Sequence, residues 1–137
     1  MINFDKALIP EKSFEYFSFV SDTEVFVADS GMCSFGVTNN RQLIAYVLFT
    51  VGKESSEIQS ISVGPSFRRR GWGENLLCRV LDFSIGKGCG FCILRVRVGN
   101  YPAIALYEKQ QFFVGRKLHR YFDKPYEDGF EMVCYLE

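Results

Sequence analysis

Arg68, Arg69 and Arg70 stand directly before Gly71-Trp72-Gly73, and this run joins an apolar stretch ending Ile61-Ser62-Val63 to one with helical periodicity. Such a junction can bind an anion. A helix start leaves its first backbone N–H groups without acceptors and carries partial positive charge. Gly71 and Gly73 remove Cβ atoms where a phosphate would approach the backbone, and the three arginines add mobile positive charge around it. The ligand this implies is a phosphorylated cofactor. The bland alternative is a solvated charge run beside a turn. The spacing is not a Walker A loop, because no Gly-Lys-Ser/Thr follows the first glycine at the required interval. A dinucleotide fingerprint is also incomplete, since Leu76 stands where its third glycine belongs.

The elements that must position this junction are legible around it. Trp72, Leu76, Val80 and Ser84 form one row at spacing four, and Gly73, Leu77, Leu81 and Ile85 form the next, so a helix with one buried stripe is predicted. Gly86-Lys87-Gly88 supplies its stop. Upstream, the pattern predicts a helix over 11–20, an extended piece over 25–28, and strands over 33–37 and 41–51 around a hairpin turn at Thr38-Asn39-Asn40. A second turn over 52–56 leads to a strand over 57–63. Downstream come a strand over 91–98, a short helix over 102–109 and strands over 112–121 and 130–136. Asn100 is placed to cap the short helix, with Pro102 tolerated in its first turn.

Arg68-x-x-Gly71-x-Gly73, following Ser60-Ile61-Ser62-Val63, resembles motif A of the GCN5-related N-acetyltransferase (GNAT) superfamily. The run from Val98-Gly99-Asn100-Tyr101 through Ala103-Ile104-Ala105-Leu106-Tyr107-Glu108 is similar to the second cofactor segment of the branch that acetylates protein N-termini. Arg120-Tyr121-Phe122 and Glu127-Asp128-Gly129-Phe130-Glu131-Met132 resemble the closing strands of the ribosomal-protein alanine N-acetyltransferases. The likeness covers residues 55 to 137; residues 1 to 54 match only in general plan.

The resemblance implies an α/β fold, a single GNAT domain over 1–137 whose mixed, mostly antiparallel sheet contains a splayed pair of parallel strands forming an acetyl-CoA slot. It implies acetyl-CoA as cosubstrate. The pyrophosphate would lie on Arg68, Arg69, Arg70, Gly71, Trp72, Gly73 and Glu74. Pantetheine would enter like an added strand along Ile61, Ser62 and Val63, with Asn100 and Tyr107 completing the cofactor set.

Direct acetyl transfer needs an amine stripped of its proton and a donor to the departing thiolate. The family position makes Tyr107 the acid. Ordinary phenol and thiol pKa values, about 10 and 8.5, lie near enough for proton delivery; a core tyrosine is the other reading. The base departs from the family pattern. Where these enzymes carry Glu in Leu-Glu-Val-Arg, this chain has Leu94-Arg95-Val96-Arg97, and Arg95 cannot be a base. Glu57 is the replacement candidate, because Glu57 through Val63 resembles the histone-acetyltransferase strand whose Glu lies six residues before its closing Val. Alternation then predicts that Glu57, Gln59, Ile61 and Val63 share a face; a solvated Glu beside Ser55 and Ser56 is the alternative. Gln110-Gln111-Phe112 also departs from the usual Leu-Gly-Phe, so a different helix exit and acceptor pocket are expected.

Composition bounds the rest. The 137 residues, 47% hydrophobic, suffice for one core, and zero formal net charge argues against broad nucleic-acid binding. The apolar run over 43–49 is too short to span a bilayer, and Met1-Ile2-Asn3-Phe4-Asp5 lacks the charge and hydrophobic block of a signal peptide, so a cytoplasmic protein without a membrane partner is expected. The five cysteines are expected reduced, with Cys89-Gly90-Phe91-Cys92 read as buried thiols at a strand start rather than a metal or redox motif. No metal site is expected. His119 shows no triad partner. The acceptor is expected to be a protein or peptide α-amino group; a small amine or amino acid is the enzymatic alternative, and an acyl-CoA-binding regulatory module without turnover the non-enzymatic one. Oligomeric state is not legible.

Overall fold

The computed structural model describes residues 24–27, 32–39 and 42–136. Among them seven strands form one sheet: β1 (Glu24–Val27), β2 (Met32–Asn39), β3 (Gln42–Val51), β4 (Ser55–Val63), β5 (Phe91–Arg97), β6 (Phe113–Phe122) and β7 (Glu127–Tyr135), in the order β1-β2-β3-β4-β5-β7-β6. Helix α1 (Trp72–Gly86) connects β4 to β5, and α2 (Tyr101–Lys109) connects β5 to β6. Among the described strands, only β4 and β5 run parallel. That follows from the long crossover through α1, since neighbours joined by short turns must be antiparallel.

The expected mixed sheet and its parting pair are present. β4 and β5 pair at Ser55↔Phe91, Ser56↔Cys92, Glu57↔Ile93 and Ile58↔Leu94, and nowhere further along. Beyond Ile58 and Leu94 they diverge, leaving a fork lined by the second half of β4.

Several boundaries differ from the sequence reading. Thr38 and Asn39 belong to β2, paired with Leu43 and Gln42, and β4 begins at Ser55 rather than Glu57. β7 begins at Glu127, three residues early, because Phe122↔Glu127 pairing extends the β6–β7 hairpin to its loop. The helix read over 11–20 lies outside the described residues.

A correction of more consequence lies in β4. Its register with β3 runs Phe49↔Ile58 and then Leu48↔Ser60, so Gln59 is an extra, bulged residue. The bulge reverses the alternation. Glu57, Ser60 and Ser62 share the face of Thr50, Leu48 and Tyr46, whereas Ile58, Ile61 and Val63 share that of Phe49, Val47 and Ala45. Glu57 therefore does not share a face with Ile61 and Val63.

The core lies between the sheet and α1. Phe35 of β2 and Phe49 of β3 stack at 5.5 Å, and Phe83 of α1 meets their edges at 6.0 and 5.6 Å. Such pairs add about 0.5–1.5 kcal/mol each beyond area burial. Leu76, Leu77, Val80 and Ser84 are buried as the periodicity predicts; Ile85, at the helix end, is exposed. Cys89 and Cys92 are buried, and burial pushes the Cys92 thiol up to about 11, in keeping with inert protonated thiols.

Candidate active site

The β4–α1 junction has the geometry an anion needs. After the 3-10 turn Pro65–Phe67, Arg69 takes φ 63° and Gly71 φ 82°, so the chain reverses sharply into α1. The first helical bond runs from Asn75 N to Gly71 O at 3.0 Å, and the N–H groups of Trp72, Gly73 and Glu74 precede any acceptor within the helix. A Cβ at Gly71 would meet nothing within 4 Å, so the space before those donors is open. The arginines are exposed but not all loose. Arg68 Nε donates to Val63 O at 3.1 Å, and Arg70 lies over the Phe67 ring, 5.5 Å from its centre.

Two assignments at this turn change in kind. A Cβ at Gly73 would lie 3.3 Å from Leu106 Cδ2 and 3.8 Å from Val63 Cγ2, so this glycine admits α2 rather than a phosphate. The Glu74 side chain faces α2 also, 3.0 Å from Lys109 Nζ and 3.1 Å from Gln110 Nε2. What Glu74 offers an anion is its backbone N–H.

Asn100 caps α2 as expected, its side chain accepting from Ala103 N at 3.4 Å. Tyr107 is buried in the helix-side core with Leu94, Val96 and Met132, its ring 6.0 Å from Phe112. Among the described residues its hydroxyl has no hydrogen-bond partner, and burial pushes its pKa up to about 12. The near match to a thiol expected from ordinary values is therefore absent. The hydroxyl is a firmly protonated donor.

The exit from α2 also corrects the sequence reading. Gln111 N donates to Glu108 O and Phe112 N to Tyr107 O, each at 3.0 Å, which is the Schellman pattern. Gln111 holds φ 71° in the place a glycine usually takes. The helix exit is preserved without the glycine, at a conformational cost to Gln111.

Glu57 and Arg95 meet on the face away from α1, where Arg95 donates to the Glu57 carboxylate. Arg95 also reaches Glu131 Oε2 at 3.2 Å and lies over the Tyr121 ring at 5.9 Å. Arg116 grips Glu131 from β6 through Nε at 3.2 Å and Nη2 at 3.1 Å. Arg116 first, and Arg95 after it, hold the Glu131 carboxyl below its ordinary range. Sequence reading gave Glu131 and Tyr121 no role, because only the β5–β7 and β6–β7 pairings bring them to Arg95. The same face carries Tyr46, fully buried, with its hydroxyl 3.0 Å from Ser60 Oγ. Glu57 thus lies on the face away from α1, whereas Tyr107 packs into the core.

Beside them Arg97 fastens the β6–β7 loop, donating to Asp123 O at 3.0 Å and Pro125 O at 2.9 Å and lying 3.3 Å from Glu127 Oε1. His119 does have a carboxylate neighbour, Asp128 Oδ1 at 3.3 Å, but it is exposed on the edge strand. No group of three or more metal-ligating side chains occurs among the described residues.

A sheet opened between two parallel strands, with the unpaired donors of a helix start beside the opening, forms a candidate cleft for a phosphorylated ligand. The chain belongs to the acetyltransferase (GNAT) family, whose model matches residues 4–112. It is 32% identical over 98 residues to the [Ribosomal protein bS18]-alanine N-acetyltransferase of Escherichia coli (strain K12), covering 72% of this chain. It spans 65% of the length of that relative. The crystal structure of the ribosomal-protein-S18-alanine N-acetyltransferase from Escherichia coli superposes with a TM-score of 0.74 at 27% identity, covering 80% of this chain and 72% of that one. A spermidine N-acetyltransferase SpeG chimera from Vibrio cholerae and hSSAT superposes with a TM-score of 0.69, also at 27% identity, covering 80% and 70%.

Proposed function

We propose that this protein is an acetyl-CoA-dependent N-acetyltransferase whose acceptor is the α-amino group of a protein or peptide. The observation that carries the reading is the fork itself: α1 donors at its mouth, a buried phenol in the core and a carboxylate on the face away from α1. The site fits the cosubstrate, because the space before the α1 donors is open at Gly71 and three exposed arginines directly precede it in the chain.

Acetyl-CoA, when bound, supplies an acyl thioester. The N–H groups of Trp72, Gly73 and Glu74, with Arg68, Arg69 and Arg70, bind its phosphates. The backbone of Ile61, Ser62 and Val63, unpaired on the β5 side, offers a strand edge; Arg68 already occupies the Val63 carbonyl. Glu57 takes the proton from the acceptor ammonium. Tyr107, with its raised pKa, acts as a hydrogen-bond donor toward the leaving sulfur rather than as a freely ionising acid.

The β5 position that carries a carboxylate in the resembling family holds Arg95 here, and that favours an acceptor needing little help. An α-amino group has a pKa near 8 and a lysine side chain near 10.4, so at pH 7 about a tenth of the former but under a thousandth of the latter is neutral. The difference is worth about 3 kcal/mol, comparable with a good general base. The Escherichia coli relative, named for an alanine of a ribosomal protein, supports the same class. The test is intact-mass analysis of matched peptides with the α-amine free or blocked: the free peptide is acetylated well above the blocked one, and equal rates defeat the reading.

The likeness to a spermidine N-acetyltransferase favours a second reading, a small polyamine or amino-acid acceptor. Including spermidine and free amino acids in the same assay separates the two. Binding of acetyl-CoA without turnover of any amine would instead identify a regulatory module.

A further inference from the structure

The last paired residues of the fork are Ile58 and Leu94. Glu57 stands one residue before this point on β4, and Arg95 one residue after it on β5, and their side chains close on one another across the apex. We propose that Arg95 is a positioning residue that holds the Glu57 carboxylate at the apex of the fork, a role that rests on Glu57 being the base.

The case is made by what holds Arg95. Arg116 on β6, Glu131 on β7, Arg95 on β5 and Glu57 on β4 form one row of alternating charge across four strands. The row is anchored at its outer end. Arg116 meets Glu131 through two nitrogens, and the planar fork of that pairing orients Glu131. Glu131 and the Tyr121 ring then fix the Arg95 guanidinium on the side away from Glu57. A carboxylate on the short paired stretch of β4 would otherwise be free to turn to solvent, being more exposed than Glu131.

The arrangement also accounts for how a cation can sit beside a base. Arg95 divides its charge between two carboxylates, so Glu57 is oriented without being matched one to one. The charges along the row sum to zero, which limits the cost of removing them from water. Proton acceptance passes from a carboxylate carried on β5 in the resembling family to one carried on β4, with β5 supplying the group that aims it.

The experiment measures kcat and KM for acetyl-CoA and for a peptide with a free α-amine in wild type, Glu57→Gln, Arg95→Met, Arg95→Lys and the Glu57→Gln/Arg95→Met double variant. Arg95→Met lowers kcat about tenfold or more while KM for acetyl-CoA stays unchanged, and Arg95→Lys recovers part of the loss. The double variant is no slower than Glu57→Gln alone, because Arg95 acts only through that carboxylate. Wild-type kcat in Arg95→Met, with Glu57→Gln impaired, overturns the positioning role and leaves the base standing. Wild-type kcat in Glu57→Gln overturns both. Multiplicative losses in the double variant show that Arg95 acts independently and overturn the proposal. If Arg95→Met does not fold, Arg95→Lys decides alone: it keeps the charge but not the two-sided grip, and a wild-type kcat overturns the proposal.

Discussion

Leu106 of α2 occupies the space that a side chain at Gly73 of α1 would need, with Cδ2 3.3 Å from the Cβ position. The two helices and the end of β4 therefore meet at a single small residue. Ala at 73 gains helix propensity worth up to about 1 kcal/mol but forces Leu106 to give by a few tenths of an ångström, so Gly73→Ala is close to neutral in stability. Gly73→Val pushes α2 away, and is expected to cost about 1–3 kcal/mol in urea denaturation. If Gly73→Val is as stable as wild type, the contact is not the constraint described.

Gly71 is constrained differently. Its φ of 82° disfavours any side chain, while the space around it is open. Gly71→Ala costs about 1 kcal/mol of stability yet keeps the rise in melting temperature that acetyl-CoA produces. Gly71→Glu abolishes that rise by placing a negative charge before the α1 donors. An undiminished thermal shift in Gly71→Glu would remove the phosphate from this turn.

Gln111 pays for a left-handed conformation at the end of α2. Gln111→Gly relieves it and raises stability by about 1 kcal/mol, less whatever entropy the added freedom gives the unfolded chain. A β-branched residue there lowers it. Chemical denaturation of Gln111→Gly and Gln111→Val against wild type checks the order.

Tyr107→Phe separates catalysis from folding. Tyr107 is buried but its hydroxyl makes no hydrogen bond among the described residues, so removing it leaves stability unchanged or slightly raised. Acetyl-CoA binding survives, and kcat falls by about two to four orders of magnitude. Unchanged kcat would return Tyr107 to the core.

The β6–β7 hairpin carries an acid-sensitive contribution. The Arg120 backbone N–H, with Lys117 and His119, holds Asp128 below its ordinary value of 3.8, and Arg116 with Arg95 holds Glu131 below 4.5. Both folded-state values are depressed, so the unfolded chain binds more protons in this window. Their stabilisation is complete above the ordinary values and is lost as pH falls through the folded ones. The wild-type urea midpoint should fall more steeply than that of Asp128→Asn or Glu131→Gln as pH drops from about 5 to about 3. Parallel curves would show that these carboxylates do not govern acid stability.

What the residues determine by themselves is local. The strand–turn–helix junction at Gly71, the buried stripe of α1 and the Asn100 cap each depend on neighbours within a few positions, where backbone sterics and hydrogen-bond geometry act directly. The left-handed exit at Gln111 was legible only as a missing glycine, because the Schellman bonds that impose it override the residue's own preference. Tertiary structure decided the rest. The bulge at Gln59 reverses the side-chain faces of β4, and only the register against β3 reveals it. Arg95, read alone, was a lost carboxylate; the pairing of β4 with β5 and of β5 with β7 brings it between Glu57, 38 positions earlier, and Glu131. Charges so far apart in sequence interact only when strand register sets them on one face, and no local pattern encodes that register.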